Sequence, residues 1–190
     1  IVHRLDRETS GVMVVARTDR AHMHLAKQFE QRTTRKEYFA ITTGSPDRDA
    51  DIIRQPIGVH PYQREKMAIR ADHATSRDAE TFYEVLERFG PFAAVKITPK
   101  TGRTHQILVH LAHAGYPILC DRLYSGRSEI TAGEIDKAAA NGSVVLLDRV
   151  ALHAQQLTIR PPATDEPMTF AAPLPADIQK ALAFLRATDL

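Results

Sequence analysis

One carboxylate of the sequence stands in a loop directly before an apolar segment, a position where reactive groups are often found. Asp6 lies between Arg4 and Arg7, and the turn residues Thr9–Gly11 follow it. Nearby guanidinium groups keep a carboxylate ionised and its pKa low, which suits a nucleophile or a base and disfavours a general acid. A simple ion pair on the surface explains the same residues, so Asp6 alone leaves both interpretations open.

A second candidate is a phenol inside a predicted strand. Tyr38 belongs to the segment Lys36–Thr43, which is rich in aromatic and β-branched residues and ends at a Gly-Ser-Pro-Asp turn. A tyrosine can stack on a planar ligand and move a proton, but it is also a common core residue with one polar tip. Tyr38 by itself therefore does not decide between these roles.

The nine histidines raise the question of a metal site. Two pairs, His22–His24 and His110–His113, have spacings that could place two imidazoles together, but the glutamate of a His-Glu-x-x-His motif is absent. We expect His105, near a helix start, and His153, within a strand, to be hydrogen-bonded capping or core groups. Three convergent ligands cannot be named, so the sequence predicts no metal and no other cofactor.

Length and composition predict one globular domain that can position such groups. The chain has 190 residues, of which 43% are hydrophobic and 25% charged, values typical of folded proteins. Its single cysteine, Cys120, cannot form an internal disulfide and favours a reducing compartment, the cytoplasm. No apolar run approaches the roughly 18 residues of a transmembrane helix, so no membrane location is expected.

The charge distribution is uneven along the chain. The net charge is only +2, but residues 1–110 hold 18 basic and 14 acidic residues, and arginines outnumber lysines by 18 to 7. Arginine is the better partner for phosphate and the better stacker on bases, which hints at nucleic acid. A solvated surface of mixed charge explains the same counts, so charge does not settle the partner.

The apolar patterns predict an α+β fold with a mixed, largely antiparallel central sheet and flanking helices. A helix after an Asp19 N-cap, a hairpin around Gly90, and a helix from His105 to Ala114 are its clearest parts. The predicted strands are 11–16, 36–43, short pieces at 52–53 and 67–69, 79–89, 92–98, 144–147, 151–159 and 168–171. The predicted helices are 20–31, 105–114, 130–140 and 176–187.

Three sequence blocks, in this order, resemble those of the RluA-type pseudouridine synthases, the uridine isomerases of large-subunit ribosomal RNA and of tRNA. The first block is His3–Asp6 with Thr9–Gly11, and the second is Lys36–Ala40. The third is Thr101–Ile107, which continues through residues 110–121. Further likeness at residues 152–154 and 168–173 extends the resemblance over essentially the whole chain.

The resemblance implies the pseudouridine synthase catalytic fold and the conversion of uridine to pseudouridine in structured RNA, without metal or organic cofactor. By the same likeness Asp6 is the catalytic carboxylate, Arg4 assists base flipping, and Tyr38 stacks on the uracil and serves proton transfer at C5. Ile107 would form an apolar floor under the base. The substrate-binding residues implied are Arg4, Arg103, His105 and Ile107. The partner implied is ribosomal RNA or tRNA, bound by a protein that we expect to be a monomer.

Two departures from the family pattern affect these expectations. The family has an arginine in the third block that pairs with the catalytic aspartate, where this chain has Leu108. Helical spacing directs Leu108 toward the sheet and Asp6, so Arg103 or Arg7 would have to supply the cation. If neither does, we expect the pKa of Asp6 to rise, and the alternative is a catalytically weak RNA-binding domain of the same fold. The second departure is the start, because we expect residues 1–190 to lack the N-terminal strands and any S4-type domain of a longer parent.

Overall fold

The fold is built on a seven-stranded sheet, in a computed structural model that describes residues 1–71, 73–139 and 141–188. Its strands are β1 (Ser10–Gly11), β2 (Arg35–Thr43), β3 (Ala50–Arg54), β6 (Glu80–Phe89), β7 (Phe92–Pro99), β10 (Leu152–Ile159) and β11 (Met168–Ala171). The order is β1-β10-β2-β7-β6-β3, and β11 also pairs with β10. Only β1 runs parallel to its neighbour, so the predicted α+β fold with a largely antiparallel sheet is confirmed.

Two small hairpin sheets and four helices surround this sheet in the described residues. The hairpins pair β4 (Ile57–Val59) with β5 (Met67–Ile69), and β8 (Ile130–Thr131) with β9 (Val145–Leu147). The helices are α1 (Asp19–Glu30), α2 (Gln106–His113), α3 (Ala132–Ile135) and α4 (Ala176–Ala187). Within the described ranges, none of them has the length and apolar character required to cross a bilayer.

The main hydrophobic core joins the sheet to α2 and α4. Leu108 and Leu111 of α2, and Ile178 and Leu185 of α4, are buried in it together with residues of β2 and β7. A second, smaller core lies under α1, where Leu25 packs with residues of β10. The apolar faces of α2 and α4 are therefore the faces that pack against the sheet.

The first predicted strand is mostly wrong. Only Ser10–Gly11 pairs with β10, and residues 12–16 belong to no strand. Met13 and Val15 are 46% and 54% exposed, whereas Val12 and Val14 pack against the second core. Because the run is apolar throughout, its composition did not reveal that only alternate side chains are buried.

The predicted helix over residues 130–140 is also wrong. Residues Ile130–Thr131 form a strand, and the helix covers only Ala132–Ile135. Thr131 starts it through a capping box in which its backbone amide donates to Glu134 at 2.8 Å, and Asp136 ends it in an extended conformation. Position 140 lies outside the described residues.

The N-cap of α1 is Thr18, not Asp19 as the sequence suggested. The Thr18 hydroxyl accepts a hydrogen bond from the Ala21 amide at 3.2 Å. Asp19 is the first helical residue, where its negative charge favours the helix N-terminus. The hairpin predicted around Gly90 is confirmed by β6 and β7.

Candidate active site

A cavity of about 460 Å³ opens beside the first residues of β2 and brings the three sequence blocks together. Asp6 and Arg4 line it from the first block, Tyr38 from the second, and Arg103 and Ile107 from the third. His105 is not part of the lining, although its charge lowers the pKa of Asp6. Five of the six residues predicted from sequence thus share one cavity.

The loop that carries Asp6 is fixed by backbone hydrogen bonds. The Thr9 amide donates to the Asp6 carbonyl at 3.0 Å, which closes a turn directly after the carboxylate. The Arg149 guanidinium donates to the Glu8 carbonyl at 3.0 Å and is itself held by Asp177 of α4, with Nε and Oδ2 2.6 Å apart. A half-buried ion pair therefore restrains the loop from the side of α4.

The loop then joins the sheet at a glycine that lies against the backbone of β10. Gly11 has φ of +123°, and a Cβ atom on it would meet the Ala154 carbonyl oxygen at 2.2 Å. Next to it, His153 is 2% exposed and bonds the Ser10 hydroxyl at 2.9 Å and the Ala172 carbonyl at 3.1 Å. The prediction that His153 is a satisfied core group is confirmed.

The structure decides between the two expectations for the pKa of Asp6. Burial raises the pKa of Asp6 above its usual range, and this outweighs the charges of His105 and Arg4 and a backbone hydrogen bond from His105, which lower it. Among the described residues, no cation lies within 4.0 Å of its carboxylate. The low pKa expected from Arg4 and Arg7 is therefore wrong, and the rise expected without the family's arginine is confirmed, because solvent exclusion dominates.

The two arginines considered as replacements for the family's cation do not act on Asp6. Neither Arg7 nor Arg103 is among the groups that shift its pKa, and the Arg103 Nε donates instead to the Asp78 carbonyl at 3.1 Å. Leu108 is 5% exposed and packs in the main core, and it is not among the residues that line the cavity. The charges that lower the pKa of Asp6, against the effect of burial, are those of His105 and Arg4.

Tyr38 and Ile107 line the cavity from two different elements. Tyr38 lies on β2, and Ile107 is in the first turn of α2, 7% exposed at the edge of the main core. Burial, and then the charge of Asp6, raise the pKa of Tyr38 to about 12. The phenol is consequently neutral near pH 7 and offers an O–H group and a flat face.

A buried amide holds the third block in place. Gln106 is 3% exposed, and its Oε1 accepts from the Thr101 hydroxyl at 2.7 Å and from the Arg103 amide at 3.0 Å. Its Nε2 donates to the Glu80 carbonyl at 3.0 Å and to the Thr81 hydroxyl at 2.9 Å. These bonds tie the loop before α2 to β6 and so fix the first turn of α2, which carries Ile107.

His105 stands at the N-cap position of α2 but does not cap it with its side chain. Its φ is +54°, and its Nδ1 lies 2.9 Å from the Tyr124 hydroxyl, which also accepts from the Met67 amide at 2.9 Å. The left-handed backbone turns the imidazole away from the helix amides. The histidine is thus a hydrogen-bonded group between the third block and the β4–β5 hairpin.

Three of the histidines considered as metal ligands make structural hydrogen bonds. His22 and His24 bond the carbonyls of Ile1 and Arg160, and His110 bonds the Thr81 hydroxyl at 2.8 Å. In the part of the chain that the structure describes, no three His, Cys, Asp or Glu side chains are grouped to hold a metal.

Three cations that line the cavity, Arg32, Lys36 and Lys100, were not singled out from the sequence. Lys36 and Arg32 both line it, and Lys36 precedes Tyr38 by two residues on β2. Side chains two apart on a strand share a face, so the placement of Tyr38 could have pointed to Lys36. For Arg32, which follows α1, the sequence offers no comparable signal.

The chain is similar to several known proteins. A family model described as RNA pseudouridylate synthase matches residues 1–113. Ribosomal large subunit pseudouridine synthase D of Xanthomonas campestris pv. campestris is 42% identical over 188 residues, which cover 98% of this chain and 54% of that protein. The protein of the same name in Blochmanniella floridana is 39% identical over 188 residues, covering 98% of this chain and 57% of that protein.

Solved structures show the same fold. Human RNA pseudouridylate synthase domain containing 4 superposes with a TM-score of 0.77 at 28% identity, covering 97% of this chain and 75% of that one. Human RNA pseudouridylate synthase domain containing 1 gives 0.72 at 26% identity, covering 98% and 80%. The chain spans about half the length of the curated relatives it matches. Sequence and structure together show that this chain belongs to the RNA pseudouridylate synthase family.

Proposed function

We propose that this chain is the catalytic domain of an RNA pseudouridine synthase, in which Asp6 is the catalytic carboxylate. The observation that supports this most directly is the cavity, which brings Asp6, Tyr38 and Ile107 together from three separate blocks. Its dimensions, about 460 Å³, fall in the range of small-ligand sites and leave room for one nucleoside. The names of the relatives support the same activity.

The proposed reaction is an isomerisation and needs no other reactant. The N1–C1′ glycosidic bond of uridine breaks, the uracil turns, and C5 bonds to C1′. The proton on C5 is lost and N1 carries a proton in the product, so atoms and electrons balance within the nucleoside. Asp6 assists these steps as an ionised carboxylate, either by attack on the sugar or by taking a proton from it.

The other site residues bind and orient the RNA in this proposal. Ile107 supports the flipped base from below, while Tyr38 stacks on it and offers a neutral hydroxyl. Arg4 is exposed at the cavity and assists base flipping, which requires a few kcal/mol of unstacking energy. Arg103 and His105 contact the RNA at the rim.

Large-subunit ribosomal RNA is the first substrate to test, because two of the relatives carry that substrate in their names. Transfer RNA is the other candidate. We propose that the domain acts as a monomer in the cytoplasm, where its single cysteine stays reduced. Burial of Cys120, whose thiol pKa is raised to about 12, is consistent with an unreactive structural thiol.

Release of tritium tests the proposal. RNA labelled with [5-³H]uridine loses its label when C5 becomes bonded to the sugar, so turnover gives tritiated water. We expect release from a large-subunit ribosomal RNA transcript, and pseudouridine in its nuclease digest. No release from either ribosomal RNA or tRNA, by protein that binds both, would contradict the proposed activity.

One observation favours a second candidate, a catalytically weak RNA-binding domain. Asp6 has no ion-pair partner among the described residues, and Leu108 occupies the position of the family's cation. A carboxylate that is half-buried without a partner is poorly poised to ionise. Binding of RNA without tritium release would identify this second function.

The raised pKa of Asp6 predicts the pH dependence of turnover. Only the ionised carboxylate is active, so kcat/KM rises with pH through the pKa of the free enzyme. Because burial raises this pKa, we expect the midpoint to lie above the value of about 3.9 for an ordinary aspartate. Arg4→Gln removes a charge that lowers the pKa, and should move the midpoint further up. A kcat/KM that is constant down to about pH 4 would contradict the assignment.

Removing one hydroxyl separates the two roles of Tyr38. In Tyr38→Phe the ring still stacks, so we expect RNA affinity within about twofold of the parent. Turnover should fall on the order of a hundredfold if the hydroxyl assists proton transfer. Tyr83→Phe is the matched control, since Tyr83 is buried in the main core at 3% exposure and lies away from the cavity. Lost affinity with unchanged turnover of bound RNA would make Tyr38 a binding residue only.

A further inference from the structure

The lining of the cavity is strongly basic. Its charged lining consists of the cations Arg4, Arg32, Lys36, Lys100 and Arg103 and the carboxylates Asp6 and Glu30. Of these cations, within the described ranges, only Lys100 pairs with a carboxylate, that of Glu80 at 3.4 Å. The cavity therefore holds more positive charge than its own carboxylates neutralise.

Lys36 is the most unusual of these cations because it is half-buried. Burial, and then the charge of Arg32, lower the pKa of Lys36 below its usual range. Its ammonium donates to the Thr101 carbonyl at 3.4 Å, and no carboxylate in the described part of the chain lies within salt-bridge distance. An ammonium has three N–H donors, so donors remain for a ligand. Such a desolvated charge attracts an anion strongly.

Lys36 and Asp6 do not form an ion pair with each other. Asp6 is not among the groups that shift the pKa of Lys36, and Lys36 is not among those that shift the pKa of Asp6. The ammonium instead lies over the loop of the third block, where a Cβ on Gly102 would be 3.4 Å from Nζ. The cation is therefore available to something outside this chain.

Arg32 adds a second cation at a backbone position that usually holds glycine. It follows the C-cap of α1 with φ of +57°, and the Thr33 amide closes the helix end by donating to the Gln28 carbonyl at 3.0 Å. Its side chain is exposed, lines the cavity, and lies close enough to Lys36 to affect that pKa. Two neighbouring cations thus face the cavity from α1 and β2.

The position of this pair relative to Tyr38 indicates which anion it fits. Lys36 and Tyr38 are two residues apart on one face of β2, a separation of about 7 Å along the strand. A nucleotide whose base stacks on Tyr38 would extend its phosphate over a comparable distance. Glu30 also faces the cavity and is exposed, so it opposes the anion only through solvent.

We propose that Arg32 and Lys36 form a phosphate subsite that binds the phosphodiester group of the nucleotide whose base enters the cavity. This inference rests on the proposed function, since it assumes that the ligand of the cavity is a uridine nucleotide. Its chemistry is that of charge-assisted hydrogen bonds from an ammonium and a guanidinium to phosphate oxygens.

Binding of mononucleotides tests the subsite without any need for turnover. Uridine, uridine 5′-monophosphate and uridine 3′-monophosphate are titrated against the protein, with affinity measured by NMR shifts. We expect one of the two monophosphates to bind about tenfold more tightly than uridine. Lys36→Gln and Arg32→Gln should each remove most of this preference and leave uridine affinity unchanged.

Arg35→Gln is the matched control for loss of one charge. Arg35 adjoins Lys36 on β2, pairs with Glu37 at 2.7 Å and does not line the cavity. It should keep the preference for the monophosphate. With single-stranded RNA, Lys36→Gln should also reduce the slope of log affinity against log salt by about 0.7, the value for one phosphate contact.

The outcomes separate this subsite from the proposed activity. Equal affinity of the parent for uridine and both monophosphates would overturn the subsite, even if tritium release occurs. Equal weakening of all three ligands by Lys36→Gln would also overturn it, because the lysine would then support the base pocket. A monophosphate preference that depends on Lys36, in protein that releases no tritium, would support the subsite and contradict the isomerase.

Discussion

Asp6→Asn is expected to abolish isomerisation while leaving the protein folded. The amide has nearly the shape of the carboxylate, but it can neither attack carbon nor accept a proton. Loss of a group with this role reduces turnover by at least on the order of a hundredfold. Tritium release from [5-³H]uridine-labelled RNA measures the effect. RNA affinity should stay within a fewfold of the parent, because the cations of the cavity remain.

The stability of Asp6→Asn should not fall at neutral pH. Burial raises the folded-state pKa of Asp6, so its ionised form opposes folding at pH values above that raised pKa. This unfavourable contribution disappears as the pH falls below the ordinary aspartate range. Asparagine removes it at every pH, so the melting temperature near pH 7 should equal or exceed that of the parent.

Asp148→Asn provides the control for Asp6→Asn. Asp148 is exposed and lies away from the cavity, so its amide should leave both turnover and melting temperature unchanged. If Asp6→Asn retained turnover within tenfold of the parent, Asp6 would not be the catalytic carboxylate. A large loss of melting temperature in Asp6→Asn would contradict the electrostatic argument.

Much of the site could be predicted because its residues belong to short blocks with strong local patterns. Tyr38 lies on a strand with clear β propensity, and Ile107 lies in the first turn of an apolar helix that follows a loop. The pairing of β6 with β7 was predictable from the turn between them. These local features, together with the likeness of the blocks to one family, are enough to predict that the residues share one cavity.

The pKa shift of Asp6 could not be read from its neighbours in the sequence, because it depends on distances between residues far apart in the chain. Arg4 and Arg7 are neighbours of Asp6 in the chain, but only Arg4 acts on its carboxylate. His105, nearly a hundred positions away, contributes more than Arg4 does. Burial, which has the largest effect, is a property of the whole packed structure.

The contacts that hold the loop of Asp6 could not be predicted either. Its support by Arg149 and Asp177 links residues that no local pattern connects. The apolar run predicted a strand over residues 11–16, whereas the structure pairs only Ser10 and Gly11 with β10. Composition indicates that a segment is extended, but which of its amides find partners depends on the neighbouring strands.

Gly11→Ala is expected to have the largest effect on stability. A Cβ at this position would lie 2.2 Å from the carbonyl oxygen of Ala154, 2.6 Å from its nitrogen and 2.7 Å from its carbonyl carbon. All three are backbone atoms of β10, which cannot rotate away as a side chain could. The pairing of β1 with β10, and the bond from the Val12 amide to the Ala154 carbonyl at 2.9 Å, must therefore break or shift. We expect a loss of about 3 kcal/mol or more in the free energy of unfolding.

The same change should loosen the loop that carries Asp6, so turnover should fall together with stability. A loss of 3 kcal/mol in a domain of this size lowers the melting temperature by roughly 6 to 12 °C, which calorimetry resolves easily. At a temperature where both proteins are folded, kcat should fall more than RNA affinity, because the catalytic carboxylate is displaced while the cations on α1 and β2 stay in place.

Gly115→Ala separates the steric clash from the backbone conformation. Gly115 also has a left-handed φ, +90°, but nothing lies within 4 Å of the position that its Cβ would take. Alanine there meets only the conformational penalty of about 1 to 2 kcal/mol for a left-handed residue. The difference between the two variants therefore measures the contact of Gly11 with β10. If Gly11→Ala melted no lower than Gly115→Ala, the loop would have room to move away from Ala154, and the close packing of the Asp6 loop against β10 would not be what positions the carboxylate.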